Sequence, residues 1–202
     1  GNARTLSPSD EFYFNYASAP IFGFTDTSID CWGASGASFS RIATGMQFEE
    51  FTLVFFARSS QSVPATIQID LCGYDNITEP AWRYYANGPG QSNPDNDGRT
   101  FLTTNGGSAL QSAGNVLPND EDVQLAVSCK AGGSLRIFKN GLLVGSVGGA
   151  LAPTYTVDTI MHLFAGTATS TAFEGTMQRA ALFSRELTIE EIGTLWANVP
   201  MP

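Results

Sequence analysis

Three short clusters of carboxylates stand out: Glu49-Glu50, Asp120-Glu121-Asp122 and Glu190-Glu191. Glycoside hydrolysis with retention needs two carboxyl groups about 5 Å apart, and inversion needs them somewhat farther apart. On one strand such a pair appears as acids at alternate positions. The clusters here read instead as solvated charge before a strand, charge in a turn, and charge at a helix N-terminus, where the macrodipole favours it. His162 is the single histidine, and it sits in mid-strand between Met161 and Leu163. A triad or a metal site would have to pass through it, so a structural role is expected and catalysis is not.

Two other groupings could bind rather than react. Asp95-Asn96-Asp97-Gly98 places two carboxylates, an amide and a turn glycine together. Calcium takes several such oxygens. The pattern is partial, because no distal glutamate follows, and Asn and Asp are also ordinary turn residues. Asp95, Asn96 and Asp97 are the candidate calcium ligands, with Asp75 and Asn76 a weaker second set. No cofactor is required. The other grouping is aromatic: Trp82, Tyr84 and Tyr85 run into a polar stretch that carries Asn87, Asn93, Asp95, Asp97 and Arg99. Rings stack on sugar faces while amides, acids and guanidinium groups hold hydroxyls. Trp82, Tyr84, Tyr85, Asn87 and Arg99 are therefore the candidate ligand contacts, with Trp32 a separate one. The competing reading is plain: Trp82 and Tyr84 share a strand face and could both be core.

Composition bounds the class. The 202 residues are 43% hydrophobic and 14% charged, enough apolar matter for a core and too little charge for a disordered chain. Net charge is −9, and the lysines are Lys130 and Lys139 alone. A negative field repels phosphate backbones and anionic bilayers, so nucleic acid is not an expected partner. No apolar run is long enough to cross a membrane as a helix, so no insertion is expected. No apolar leader follows Gly1-Asn2-Ala3-Arg4, which also fits a start lost to tag cleavage. Cys31, Cys72 and Cys129 allow one bridge by three pairings, but buried, inert thiols are the expectation. With no CxxC and no Cys/His cluster, zinc is not expected. Asn76-Ile77-Thr78 is a formal glycosylation sequon, meaningful only in a eukaryotic secretory protein.

The elements that must position these residues read as strands. Short apolar runs bounded by Gly, Asn, Asp or Pro recur along the chain, the pattern of an all-β domain. Phe12–Tyr16 is the first expected strand, and a loop-rich region follows through Ser40. Phe51–Arg58 is apolar on both faces, which predicts a central strand covered on both sides, or buried on one and lining a groove on the other. Thr66–Leu71 alternates, with Ile67, Ile69 and Leu71 on one face. Trp82–Ala86 precedes a long turn-rich stretch over Asn87–Gly98, and unstructured loops of that length are often functional. Val123–Cys129 and Leu135–Phe138 follow. Lys139-Asn140-Gly141-Leu142 then predicts a type I′ turn, whose two central residues need positive φ, so 135–138 and 142–147 should pair as a hairpin. Ile160–Phe164 and Met177–Phe183 complete the strands. Near the end the period changes to helical: Thr188 and Glu191 have capping-box spacing, Leu187 and Ile192 that of a hydrophobic staple, and Ile192, Leu195 and Trp196 form the buried stripe.

Two stretches carry a family resemblance. Leu135-Arg136-Ile137-Phe138-Lys139-Asn140-Gly141-Leu142-Leu143-Val144 is similar to the strand, Asn-Gly hairpin and return strand of the laminin-G-like branch of the concanavalin A-like lectin/glucanase superfamily. Phe173-Glu174-Gly175-Thr176-Met177, then Ala181–Thr188 and Glu190-Glu191-Ile192, resembles that family's closing strand, Arg-x-Leu-Thr turn and helix. Phe51-Thr52-Leu53 and Val123–Cys129 are weaker matches, and the resemblance spans 39–198. Length fits a single domain over 1–202, and the resemblance, which finds no match in residues 1–38, implies an all-β, two-sheet antiparallel jelly-roll sandwich with a short C-terminal helix. Members bind glycans, proteins or lipids, sometimes with calcium, and others are glycosidases or lyases; fold alone does not choose. The superfamily's glucanases carry Glu-x-Asp-x-x-Glu on a strand, which this chain lacks. The expectation is a non-catalytic module for a glycan or protein surface, outside the cell, on its surface or on a virion. The alternatives are a structural appendage protein of a phage or cell surface, and a carbohydrate-active enzyme.

Overall fold

Alternation along the strands divides the chain into two sheets that face each other across a shared core. The computed structural model describes residues 22–23, 29–31, 39–42, 48–59, 68–75, 81–87, 99–104, 109–118, 120–150, 152–155, 160–163, 171–172 and 175–198; for 22–42, 68–75, 87, 160–163, 171–180 and 198 it describes the backbone alone. The first sheet runs in the order β1 (Phe22–Gly23), β14 (Gly175–Phe183), β4 (Glu50–Ser59), β9 (Asp122–Lys130), β10 (Ser134–Lys139) and β11 (Leu142–Gly148), with β2 (Ile29–Cys31) also on β14. The second runs β3 (Phe39–Ile42), β12 (Ile160–Leu163), β5 (Gln68–Asp75), β6 (Trp82–Asn87), β7 (Thr100–Thr104) and β8 (Ala109–Gln111). Among the described residues the pairings are antiparallel except that of β13 (Thr171–Ala172), which lies parallel to β5.

The core lies between the sheets. Phe51, Leu53, Phe55 and Ala57 of β4 and Val123, Leu125, Val127 and Cys129 of β9 point inward, against Trp82, Tyr84, Ala86 and Leu102 of the second sheet. Phe51 stacks on Trp82 with centroids 4.6 Å apart, and Phe55 meets Tyr84 edge-on at 6.3 Å. The Tyr84 hydroxyl donates to Thr100 Oγ1 at 3.0 Å, so the buried phenol keeps a partner. At one margin the sheets meet through the Ala113 N–H, which donates to the Val144 carbonyl of β11 at 2.8 Å.

The two-faced apolar pattern of β4 has its cause on the other side. Helix α1 (Ile189–Asn198) covers the outer face of the first sheet. Val54, Ala126, Phe138, Phe183, Leu187 and Ile192 form this second cluster. Phe56, opposite in parity to Phe55, stacks on Trp196 at 6.1 Å. The helix begins where its cap predicts. The Thr188 N–H donates to Glu191 Oε2 at 2.8 Å, and the Glu191 N–H donates back to Thr188 Oγ1 at 3.1 Å. The Arg-x-Leu-Thr turn is pinned from beneath by the buried Thr52 hydroxyl, which donates to the Arg185 carbonyl and accepts from the Leu187 N–H.

The Asn-Gly turn has the predicted backbone, with φ of 51° at Asn140 and 75° at Gly141. Pairing of β10 with β11 slips between Ile137 and Phe138, which leaves Val144 as an extra residue. Other expectations were drawn too narrowly. β5 extends to Asp75, and its register shifts between Asp70 and Cys72, so the alternation read through Leu71 is broken by an irregularity there. β7 and β8 fall in a stretch for which no strand was expected, and β1 to β3 fall in the supposed loop region. The expected strand at 12–16 and most of the turn-rich stretch, 88–98, lie outside the described residues.

Candidate functional site

Strand β6 sends alternate side chains to opposite faces of the second sheet. Trp82 is 2% exposed and Tyr84 0%. Neither ring can meet a sugar, and the expectation that they contact ligand is corrected: the inward parity that lets Phe51 and Phe55 pack on them removes both from solvent. Arg83 and Tyr85 take the outward parity and are half-buried.

Tyr85 has a neighbour that the sequence reading missed. Across β7 its partner is Phe101, and the two rings stack with centroids 5.3 Å apart and planes 9° from parallel. The Arg83 guanidinium carbon lies 5.7 Å from the Tyr85 ring centroid, within cation–π range. Gln111 of β8 pairs with Phe101 from the other side and is exposed, so Tyr85, Phe101 and Gln111 form one row across three strands. In the next row Arg83 pairs with Thr103 and Thr103 with Ala109. Arg99 stands one residue before β7 with the parity of Phe101. Its Nε is buried and makes no hydrogen bond, a desolvated donor that costs about 1–3 kcal/mol when left unmet. Phe101 was hidden because Thr100–Thr104 is polar on both faces, three of its five residues being threonine.

The remaining candidates divide clearly. Asn87 closes β6, and its side chain is outside the described residues, as are Trp32, Asp95, Asn96, Asp97, Asn76 and the sequon. Asp75 ends β5 and His162 lies in mid-strand in β12, both as backbone alone. Among the described residues no three or more His, Cys, Asp or Glu side chains gather as a metal site would require.

Four of the described carboxylates, Glu50, Asp122, Glu186 and Glu191, are engaged with basic side chains. Asp122 meets Arg58 at 3.2 Å, and Glu50 lies 3.9 Å from Lys130. Glu186 accepts from Ser134 Oγ at 3.1 Å and pairs with Arg136 at 3.3 Å. Arg185 forks onto both oxygens of Glu191 at 2.6 and 2.9 Å, which with the Thr188 N–H holds that carboxyl down at about 2. Cys129 is a buried free thiol, pushed up to about 12 by burial first and by Glu186 and Glu50 second, so it is neither nucleophile nor ligand at neutral pH. Elsewhere, Leu142, Leu143 and Val147 of β11 are exposed, at 70%, 41% and 37%.

No family model matches the sequence, and neither does any curated protein. Solved structures do match in fold. The binding domain of botulinum neurotoxin serotype G superposes with a TM-score of 0.66 at 12% identity, over 95% of this chain and 47% of that one. The binding domain of botulinum neurotoxin DC, solved in complex with SialylT, gives 0.60 at 12% identity over 93% and 44%. A structure of botulinum neurotoxin type C, whose cell entry depends on two ganglioside molecules, gives 0.57 at 13% identity over 87% and 45%. The chain therefore spans less than half the length of these neighbours. At such identity the likeness establishes a two-sheet β-sandwich fold and nothing finer.

Proposed function

We propose that this chain is a non-catalytic glycan-binding module whose contact surface is the outward face of the second sheet. The observation that carries the reading is the half-buried Tyr85–Phe101 pair on that outward face, with the Arg83 guanidinium beside Tyr85 and the exposed Gln111 next to Phe101 across the strands. Apolar sugar faces stack on such rings, while amide and guanidinium donors hold hydroxyls. The solved neighbours are binding domains, and two of them are associated by name with SialylT or gangliosides, which is compatible with this reading. The laminin-G-like family assignment, a place outside the cell or on a virion, and a supporting calcium at Asp95, Asn96 and Asp97 belong to the same proposal.

A glycan array probed with the full chain tests it, together with Tyr85→Ala and Phe101→Ala. Each substitution should lower binding about tenfold or more, the scale on which base–aromatic stacking is measured, with the circular dichroism spectrum unchanged. Adding a chelator should weaken binding if calcium supports the site.

The exposed Leu142, Leu143 and Val147 on edge strand β11 favour a second reading, a structural assembly protein. A silent array together with concentration-dependent self-association in sedimentation would select it.

A further inference from the structure

We infer that Asn140-Gly141 is a covalent modification site, a deamidation site that the native fold holds shut and that opens when helix α1 lifts from the hairpin tip. Asn-Gly suits this reaction because glycine puts no side chain in the way of the attacking nitrogen. The Gly141 backbone nitrogen gives its proton to a solvent base and attacks Asn140 Cγ. The N–Cγ bond forms, the Cγ–Nδ2 bond breaks, and Nδ2 takes a proton and leaves as ammonia. Water then opens the succinimide at either carbonyl, giving aspartate or isoaspartate. Nothing is oxidised or reduced, and solvent water is the co-reactant. The same dipeptide recurs at Asn87-Gly88 and Asn105-Gly106.

Two restraints act on the 140–141 pair. The first holds the carboxamide. Asn140 Oδ1 accepts from the Gln124 N–H, and the Asn140 N–H donates to the Gln124 carbonyl, each at 2.9 Å. The side chain is thereby turned back toward β9, on the N-terminal side of its own residue, whereas the attacking nitrogen lies on the C-terminal side. Swinging Cγ over that nitrogen would leave the Gln124 N–H without its acceptor in a part-buried place, which is costly. The second restraint holds the nitrogen. Gly141 is buried, and a Cβ built on it would lie 3.2 Å from Gly193 Cα and 3.3 Å from Trp196 Cδ1. Helix α1 therefore closes the tip against solvent base. The isoaspartate product routes the main chain through the side-chain carbon and lengthens it by one atom. With no room between Gly141 and α1, the lengthened tip cannot reseat, so an opening is recorded covalently. Aspartate keeps the normal backbone and an oxygen for the Gln124 N–H.

The test follows conversion at Asn140 by peptide mapping and mass spectrometry, with the full chain incubated at mildly alkaline pH, folded and in urea. Unfolded, Asn140 should convert alongside Asn87 and Asn105, which share its dipeptide and serve as clocks. Folded, it should convert about tenfold or more slowly than unfolded, because the reaction waits on local opening. Trp196→Ala removes the ring that stacks on Phe56 and abuts Gly141. Folded by circular dichroism, this variant should convert at Asn140 faster than wild type. The isoaspartate form, separated after ageing, should unfold at lower urea than Asn140→Asp, which carries the charge on a normal backbone. Equal rates at Asn140 in the folded and unfolded chain would overturn the inference. So would a faster folded rate, which would mean that the Gln124 N–H activates the carboxamide. A Trp196→Ala rate equal to wild type would overturn the part given to α1, and an isoaspartate form as stable as Asn140→Asp would overturn the covalent record. The wild-type comparison alone decides whether the site is held shut should the variant misfold.

Discussion

Gln124 is 1% exposed on β9, and neither polar atom of its side-chain amide has a hydrogen-bond partner. Its backbone is well used: the N–H donates to Asn140 Oδ1, and the carbonyl accepts from the Asn140 N–H, each at 2.9 Å. The side chain gains nothing comparable. Gln124→Met keeps the shape and removes the unmet amide, so it should raise stability by about 1–2 kcal/mol in urea unfolding. Glu191 makes a second residue-scale prediction. Its folded pKa is depressed to about 2, so its contribution is present above the ordinary value of 4.5 and is lost as pH falls through about 2. Melting temperature followed from pH 5 to 2 should fall less steeply in Glu191→Gln than in wild type. Cys129 should resist alkylation in the native chain and react once unfolded, as peptide mapping by mass spectrometry would show.

Among elements, the hairpin and the helix were the most legible in the sequence, because each is specified by local chemistry. Positive φ at Asn140 and Gly141 follows from the residue types, and the capping box from Thr188 and Glu191. Gly141 also makes a tertiary contact that its sequence does not announce: a Cβ there would lie 3.1 Å from Trp196 Cβ and 3.2 Å from Gly193 Cα. Gly141→Ala should therefore cost about 1–2 kcal/mol from backbone strain, with further loss from crowding against α1, read by chemical denaturation. β7 was illegible for the opposite reason. Its inward positions are Thr100, Leu102 and Thr104, and its fit to the core is made by partners distant in sequence, Tyr84 and Ser112. That is why half of the aromatic pair went unseen. The candidate site was legible as a neighbourhood around β6, but parity exchanged its members: Trp82 and Tyr84 went to the core and Tyr85 remained outside.

At the scale of the whole molecule, the two sheets divide the work. The first is sealed outside by α1 and inside by the core, so its central strand β4 is buried on both faces. The second packs one face inward and leaves on the other the half-buried Arg83, Tyr85 and Phe101 and the exposed Gln111. Trp82→Ala, which would remove a ring from between the sheets, should destabilise the chain by about 3–5 kcal/mol and so cannot serve as a test of binding. The most direct test of the binding face is a heteronuclear NMR titration with the best saccharide found on the array. Amide shifts centred on Arg83, Tyr85, Arg99, Phe101 and Gln111 are the predicted result. Shifts centred on Leu142, Leu143 and Val147, or on helix α1, with β6 to β8 silent, would contradict it.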